Sequence, residues 1–227
     1  MILSILLWTL ASALPVPPST HVWDEAHGIK PETARAIDRL LTAHEKATQE
    51  QVVIALFRSL GEADLVTWTN QIFQHWKIGQ RNKNNGVLLA LYWKEHDVRL
   101  EVGYGLEPLL TDAQSKRILS EYLVPGLKAG RPDEALVASS LAILRVLQSP
   151  VIKNAEKILK EGGYVQSSGS PNLVPLLFFL FFMFQFFRNR RMYWGGPRGG
   201  GGSFGGGGGS FGGGGGSSGG GGASDKW

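Results

Sequence analysis

The chain has 227 residues and no cysteine. It therefore forms no disulfide, offers no thiolate to a metal and has no cysteine nucleophile. Residues 14–150 contain no G-x-S-x-G elbow, and a D-x-D phosphatase motif and a phosphate-binding P-loop are absent from the sequence. Its five histidines lack an H-x-x-x-H spacing, which favours packed or exposed rings over a catalytic or zinc-binding group. The sequence thus lacks the usual marks of a nucleophilic or zinc-dependent enzyme.

The segment that we expect to fold as a domain has no net positive charge. Residues 14–150 hold 15 Lys and Arg against 16 Asp and Glu, a net charge of −1, whereas the whole chain has a net charge of +4. The other residues therefore carry a net +5, and they flank a hydrophobic stretch near the C-terminus. This pattern indicates membrane topology, and with no basic helix face or zinc spacing we expect no nucleic-acid partner.

Two hydrophobic segments predict the relation to a membrane. Residues 1–13 end in Ala11-Ser12-Ala13 after an apolar run, which is typical of a secretory signal peptide. Residues 173–187 contain no charge and are followed by Arg188, Arg190 and Arg191. We predict a transmembrane helix over 173–192 in a single-pass cell-membrane protein, with the preceding domain extracytoplasmic (periplasmic or external) and the tail cytoplasmic. The uncharged run is shorter than the usual span of about twenty residues, so a hydrophobic hairpin or interfacial helix is the alternative.

The remaining segments differ sharply in composition. Residues 14–150 have the mixed apolar and polar pattern of one domain, and residues 151–172 predict a linker with a short basic helix. From Gly195 onward the chain holds 20 of its 31 glycines. Such a segment buries too little apolar surface to offset chain entropy, so residues 193–227 are predicted to be a disordered glycine-rich tail.

Hydrophobic periodicity predicts an α/β fold. Apolar or alternating runs at 51–57, 87–93 and 98–102 indicate strands, the last two forming a hairpin, with room for another short strand. Helical patterns begin near Pro31, over 61–80, at Thr111 or Asp112 and near Pro132. We therefore expect a mixed central sheet with helices on both faces.

Four motifs in order resemble those of the TPM domain family, which includes thylakoid photosystem-II repair phosphatase-like proteins and bacterial membrane-anchored proteins. The similarity covers roughly residues 22–147, and the motifs are Trp76-Lys77-Ile78-Gly79, Asn84-Asn85-Gly86-Val87, Val102-Gly103-Tyr104-Gly105-Leu106-Glu107 and Leu110-Thr111-Asp112. The resemblance implies a three-layer α/β/α sandwich. It also implies calcium binding in an acidic cleft, as in some members of the family, and acid phosphatase activity.

Acidic residues beside predicted turns are the candidate metal ligands. Asp24, Glu107 and Asp112 each fall near a strand end or helix start, and Asn84 or Asn85 would add an amide oxygen. Oxygen ligands on irregular loops suit calcium. A purely structural alternative stays open: Asp112 caps a helix, Glu107 pairs with Arg117, and the two asparagines form a turn.

Three functions remain in view. The first is a membrane-anchored calcium-binding module that acts in the assembly or maintenance of membrane protein complexes, as the family resemblance implies. The second, implied by the resemblance alone, is a metal-assisted acid phosphatase, for which Arg81, Lys83 and Arg117 are the candidate phosphate clamps. The third is a structural tether without a ligand.

Overall fold

A computed structural model describes residues 14–164 and 221–227. These residues belong to one compact unit. In chain order the elements are β1 (Val22–Asp24), α1 (Pro31–Thr48), β2 (Gln51–Phe57), α2 (Leu65–His75), β3 (Gly86–Tyr92), β4 (Asp97–Val102), α3 (Asp112–Ile118), a π-helical turn (Leu119–Leu123), α4 (Val124–Lys128), α5 (Pro132–Val146), a 3₁₀ turn (Pro150–Asn154), α6 (Ala155–Glu161) and β5 (Gly221–Lys226).

The five strands form one mixed sheet in the order β1-β2-β3-β4-β5. Strands β1, β2 and β3 are parallel, whereas β4 is antiparallel to both β3 and β5. The end of β4 therefore lies at the edge of the sheet where β2 and β3 begin. This arrangement decides which polar residues come together.

Apolar side chains cover both faces of the sheet. Val52, Ile54 and Leu56 of β2 pack in a cluster that includes residues of α1 and α5. The alternate residues, Val53, Ala55 and Phe57, pack in a second cluster with Ile72 and Trp76 at α2. Because successive strand residues point to opposite faces, a continuous apolar strand is explained by burial on both sides. The predicted α/β fold with a mixed central sheet is confirmed.

Most predicted elements occur within a few residues of their expected bounds, but two helices are shorter. Helix α2 was expected over 61–80, but it begins after Asp64, whose carboxylate accepts a hydrogen bond from the Thr67 amide, and it ends before Lys77, which has a φ of 53°. The helix expected to run from Thr111 to Leu123 changes to a π turn after Ile118. Pro125 lacks an amide hydrogen and displaces the helical bonding pattern before it, which accounts for the wider turn.

The last seven residues correct the prediction of a disordered tail over 193–227. Residues Gly221–Lys226 form β5, which pairs with the outer edge of β4. The error arose because Gly, Ser and Asp disfavour strands, so that only pairing with β4 stabilises this conformation. The predicted signal peptide at 1–13, the transmembrane helix at 173–192 and the tail at 193–220 lie outside the described residues.

No helix in residues 14–164 or 221–227 is long and apolar enough to cross a membrane.

Candidate functional site

The loop after β4 meets the loop before β3 at one edge of the sheet. The Gly103 amide donates to the Gly86 carbonyl at 2.9 Å, and the Gly105 amide donates to the Asn84 carbonyl at 3.0 Å. A β-carbon at Gly103 would collide with the Asn84 carbonyl oxygen. The two glycines therefore allow two backbone segments to approach closely, and this approach fixes where Glu107 emerges.

The buried side chain of Asn85 stabilises this edge of the sheet. Its side chain is buried, its Oδ1 accepts from the Gln80 amide at 2.8 Å, and its Nδ2 donates to the Gln49 carbonyl at 2.7 Å. Both ends of the amide are therefore engaged by the backbone. Asn85 positions the loop, and its amide oxygen is not directed to a ligand.

Asp24 lies far from the other predicted ligands. It pairs in register with Leu56 near the end of β2, whereas Asn85 lies beside the start of that strand. Five residue steps along β2, from Gln51 to Leu56, separate the two positions, a distance of about 17 Å at the usual rise per residue. The Asp24 carboxylate instead accepts from the amides of Gly28 and Ile29 at 3.0 and 3.2 Å, within a turn that contains His27 at a φ of 52°. The structure thus gives Asp24 a turn-stabilising role.

Glu107 and Asp112 do come together, and we call this pair the acidic corner. Glu107 Oε1 accepts from the Gly221 amide at 2.5 Å, and Asp112 Oδ1 accepts from the Gly222 amide at 2.7 Å. A β-carbon at Gly221 would lie 3.0 Å from Asp112 Oδ1 and 3.1 Å from Glu107 Oε1, so these two oxygens are at most about 6 Å apart. Two negative charges therefore share one small region at the start of β5.

The acidic corner has no basic side chain paired with it among the described residues. The proposed partner Arg117 instead forms an ion pair with Glu121 at 3.0 Å. The helix cap is Thr111, whose hydroxyl accepts from the Gln114 backbone amide, while the Gln114 side-chain oxygen accepts from the Thr111 backbone amide. Neither structural role expected for Glu107 and Asp112 therefore accounts for their carboxylates.

The four predicted metal ligands do not fit one coordination sphere. Within residues 14–164 and 221–227, no group of three or more His, Asp or Glu side chains is arranged to hold a metal ion. Two carboxylates remain, and a hard cation bound there would take its other ligands from backbone carbonyls and water.

A buried ion pair beside the acidic corner was not predicted. Arg99 and Glu101 point to the α2 face of β4, where Arg99 Nη2 lies 2.6 Å from Glu101 Oε2 and the Asn70 amide donates to Glu101 Oε1 at 3.0 Å. Burial raises the pKa of Glu101, and the charge of Asp112 adds to this rise, although bonds from Asn70 and Arg99 oppose it. The alternation of β4 already placed Arg99 and Glu101 on the face opposite Val98 and Leu100, and this was the signal available in the sequence.

A groove of about 580 Å³ lies at the same edge of the sheet. Its lining includes Lys77 and Arg81, together with Asn84, Gly103 and the exposed Tyr104. Of the three predicted phosphate clamps only Arg81 lines this groove, since Lys83 donates to Gln49 Oε1 at 2.7 Å and Arg117 pairs with Glu121. Lys77 is a cation that the sequence analysis did not select.

The comparisons with known proteins come from one family model and two solved structures. A protein-family model described as the TPM domain matches residues 22–146, which is 55% of the chain. The solution NMR structure of the N-terminal domain of a protein from P. gingivalis is 30% identical with a TM-score of 0.54, and the match covers 57% of this chain and 82% of that one.

A second solution structure, the N-terminal domain of the cg2496 protein from Corynebacterium glutamicum, is 22% identical with a TM-score of 0.41, covering 71% of this chain and 90% of that one. No curated protein matches this chain. The motifs at the acidic corner and the groove fall inside the residues that the family model matches. The chain belongs to the TPM domain family.

Proposed function

We propose that this chain is a membrane-associated binding module of the TPM type, with the acidic corner as its ligand site and calcium as its cation. One observation carries the proposal: Glu107 and Asp112 present adjacent carboxylates that have no basic side-chain partner among the described residues. Like charges that share a site repel each other, and a divalent cation relieves this repulsion. The role in membrane protein complexes follows the family resemblance.

Calcium suits this corner better than magnesium because its coordination is flexible. Two carboxylates on irregular loops offer few protein ligands, and calcium accepts backbone carbonyls and water in its shell. With so few charged ligands, the affinity should resemble that of extracellular calcium modules, with a Kd of about 10⁻⁴ to 10⁻³ M.

A thermal melt of the full chain tests the calcium site. At ten times its Kd, calcium should stabilise the fold by about 1.4 kcal/mol, which is a rise of about 4 °C in Tm for a domain of this size. The double variant Glu107→Gln, Asp112→Asn keeps an acceptor oxygen at each position but removes both charges, and it should abolish the rise. A matched control, Glu62→Gln with Glu156→Gln, removes two exposed carboxylates and should keep it. An equal rise in both double variants, or none in wild type at 10 mM calcium, would remove calcium from the proposal.

The uncharged hydrophobic segment at 173–187 supports the membrane association, and β5 adds a condition to it. Because β5 pairs with β4, the domain and residues 221–227 lie on the same side of a membrane whenever the sheet is complete. A single crossing with a cytoplasmic tail is incompatible with that pairing. The alternative of a hydrophobic hairpin or interfacial helix is compatible with it, and we propose this form, with domain and C-terminus both extracytoplasmic.

Acid phosphatase activity is the second candidate, and the groove favours it. Lys77 and Arg81 line the groove, and neither has an ion-pair partner among the described residues. Two free cations are what a phosphate group requires for charge stabilisation. If the groove is catalytic, Lys77→Met with Arg81→Met should reduce hydrolysis of p-nitrophenyl phosphate at least a hundredfold while leaving calcium stabilisation intact. If the wild type hydrolyses the substrate no faster than the double variant, the binding module remains the proposed function. If the wild type shows neither calcium stabilisation nor hydrolysis, the structural tether remains.

A further inference from the structure

The C-terminal strand fits the edge of β4 along its whole length. Six residues of β5 pair antiparallel with six of β4, from Gly221 opposite Val102 to Lys226 opposite Asp97. Strand addition of this kind supplies main-chain affinity, and the side chains on each face can then supply selectivity. Every residue from Gly221 to Trp227 contacts the domain through its backbone or its side chain.

The second position requires glycine, and the first is crowded by the acidic corner. The amides of Gly221 and Gly222 donate to the acidic corner, and a β-carbon at Gly222 would lie 2.5 Å from the Leu100 carbonyl oxygen and 3.2 Å from Arg99 Nη2. The clash with Leu100 is with rigid backbone, so a side chain at this position forces the two strands apart.

The middle positions are matched by size and charge. Ala223 is buried in the main hydrophobic cluster, and Ser224 Oγ accepts from Arg99 Nη1 at 3.1 Å. Lys116 of α3 lies 2.9 Å from Asp225 Oδ2 and donates to the Ser224 carbonyl at 2.9 Å. Partial burial alone would raise the pKa of Asp225, but hydrogen bonds from Lys116 and from the Lys226 amide together lower it.

The last two positions close the contact at the other end of β4. Lys226 Nζ lies 3.2 Å from Asp97 Oδ1, across the strand pair. The Trp227 ring packs edge-on against Trp93 and His96, with ring centroids 5.9 and 5.3 Å away, and its amide donates to the His96 carbonyl at 3.1 Å. Aromatic contacts of this geometry add stabilisation beyond buried area.

We propose that the edge of β4 is a sequence-selective peptide-binding site whose ligand is an extended C-terminal strand of the sequence Gly-Gly-Ala-Ser-Asp-Lys-Trp. The strand is supplied by the same chain, as it is in the structure. Residues 165–220, 56 in number, connect the domain to the strand, and a chain of this length has a maximum reach of about 180 Å. The site depends on main-chain pairing and side-chain fit and needs no cation; it shares the acidic corner with the calcium proposal, but it stands if calcium does not bind there.

A labelled peptide tests the site directly. The full chain carrying Gly222→Val should release its own strand and leave the site open. In chelator, fluorescence anisotropy should then show binding of a peptide of residues 217–227 labelled at its N-terminus. Wild-type protein should bind it at least tenfold more weakly, because its own strand competes. The same peptide with valine at position 222 should not bind. Equal binding of the two peptides, or no binding by a folded Gly222→Val chain, would overturn the proposal.

A charge exchange gives a second test that leaves Gly222 intact. Lys116 and Asp225 are partly exposed, so Lys116→Asp and Asp225→Lys should leave the fold intact. The Lys116→Asp chain should bind the Asp225→Lys peptide about tenfold better than the natural peptide, and wild type should show the opposite order. If each protein binds the two peptides equally, the site does not select its ligand through this side-chain pair, which would contradict sequence selectivity.

Mixing the two charge variants distinguishes the source of the strand. Each variant alone pairs mismatched charges in its own strand and site, whereas each carries the strand that fits the other. Sedimentation in detergent should show monomers in the mixture and in either variant alone, because each strand stays with its own chain. Dimers in the mixture, with fewer in either variant alone, would assign the strand to a second copy and overturn its assignment to the same chain.

Discussion

At the scale of single residues, Gly103 determines how the loop carrying Glu107 leaves the sheet. A β-carbon there would meet the Asn84 carbonyl oxygen, which is held by the amide of Gly105. We expect Gly103→Ala to destabilise the fold by about 1–3 kcal/mol, because the crowded backbone must shift. Urea unfolding measures this change, with the exposed Lys157→Ala as a control that should stay within about 0.5 kcal/mol of wild type. A Gly103→Ala protein as stable as wild type would mean that the two loops separate without cost.

His44 makes the stability of the domain depend on pH. It is fully buried on α1, with Nδ1 2.9 Å from Ser149 Oγ and Nε2 3.4 Å from Glu50. Burial lowers the pKa of His44 from 6.5 to about 4, while Glu45 opposes this and His21 adds to it. The folded state therefore binds fewer protons than the unfolded chain between these values, so stability is present above pH 6.5 and is lost as the pH falls toward 4.

The variant His44→Gln isolates this effect because other titrating groups, including Glu50 with its raised pKa, remain in both proteins. Between pH 7.5 and pH 4, wild type should lose up to about 3 kcal/mol more unfolding free energy than the variant. Denaturant titrations at the two pH values give the comparison. Equal losses in the two proteins would show that the ring is protonated in the folded state without penalty.

The prediction of the site was least complete at the scale of single residues. Glu107 and Asp112 were chosen correctly as neighbours because they are five residues apart around one loop. Asp24 and Asn85 were chosen from their positions at strand ends and turns. Whether two such positions share an edge depends on strand direction, and whether an amide points outward depends on its backbone partners. Neither is encoded in the local sequence.

At the scale of elements, β4 has one apolar face and one charged face. Arg99 and Glu101 are almost fully buried on the charged face. Arg99→Met should cost about 3–5 kcal/mol of unfolding free energy, because Glu101 is left buried without its partner. The double change with Glu101→Leu should recover a large part of this loss, which urea unfolding of both variants measures. A double variant less stable than the single one would show that the pair stabilises the fold beyond satisfying its own charges.

Strands with strong apolar character were predicted nearly to the residue. Strand β2 has the expected bounds, and β3 and β4 differ from the expected ones by one residue. Strands β2 and β3 are continuous apolar runs and β4 alternates apolar with charged residues, so the local sequence of each carries the signal. Strand β5 has no such signal, since its residues obtain their stability from Lys116, Arg99, the acidic corner and the edge of β4. Long-range pairing of this kind is not visible in a local pattern.

At the scale of the whole molecule, the completed sheet constrains how the chain meets a membrane. The absence of cysteine allows unique labels at introduced positions. In intact cells, an impermeant maleimide should label Lys157→Cys and Ser218→Cys equally if both ends of residues 165–220 face outward. Labelling of Lys157→Cys alone would establish the single crossing, in which β5 cannot pair with β4 of the same chain.

The central claim is that the C-terminal seven residues complete the sheet and occupy the acidic corner. Hydrogen exchange of the full chain, read on the C-terminal peptide by mass spectrometry, tests it most directly. The account predicts that those amides of residues 221–226 that donate to β4 or to the acidic corner exchange at least a hundredfold more slowly than in the free peptide, and that Gly222→Val restores fast exchange there. Exchange at the free-peptide rate in the wild-type chain would contradict the account, and would leave the acidic corner without its strand.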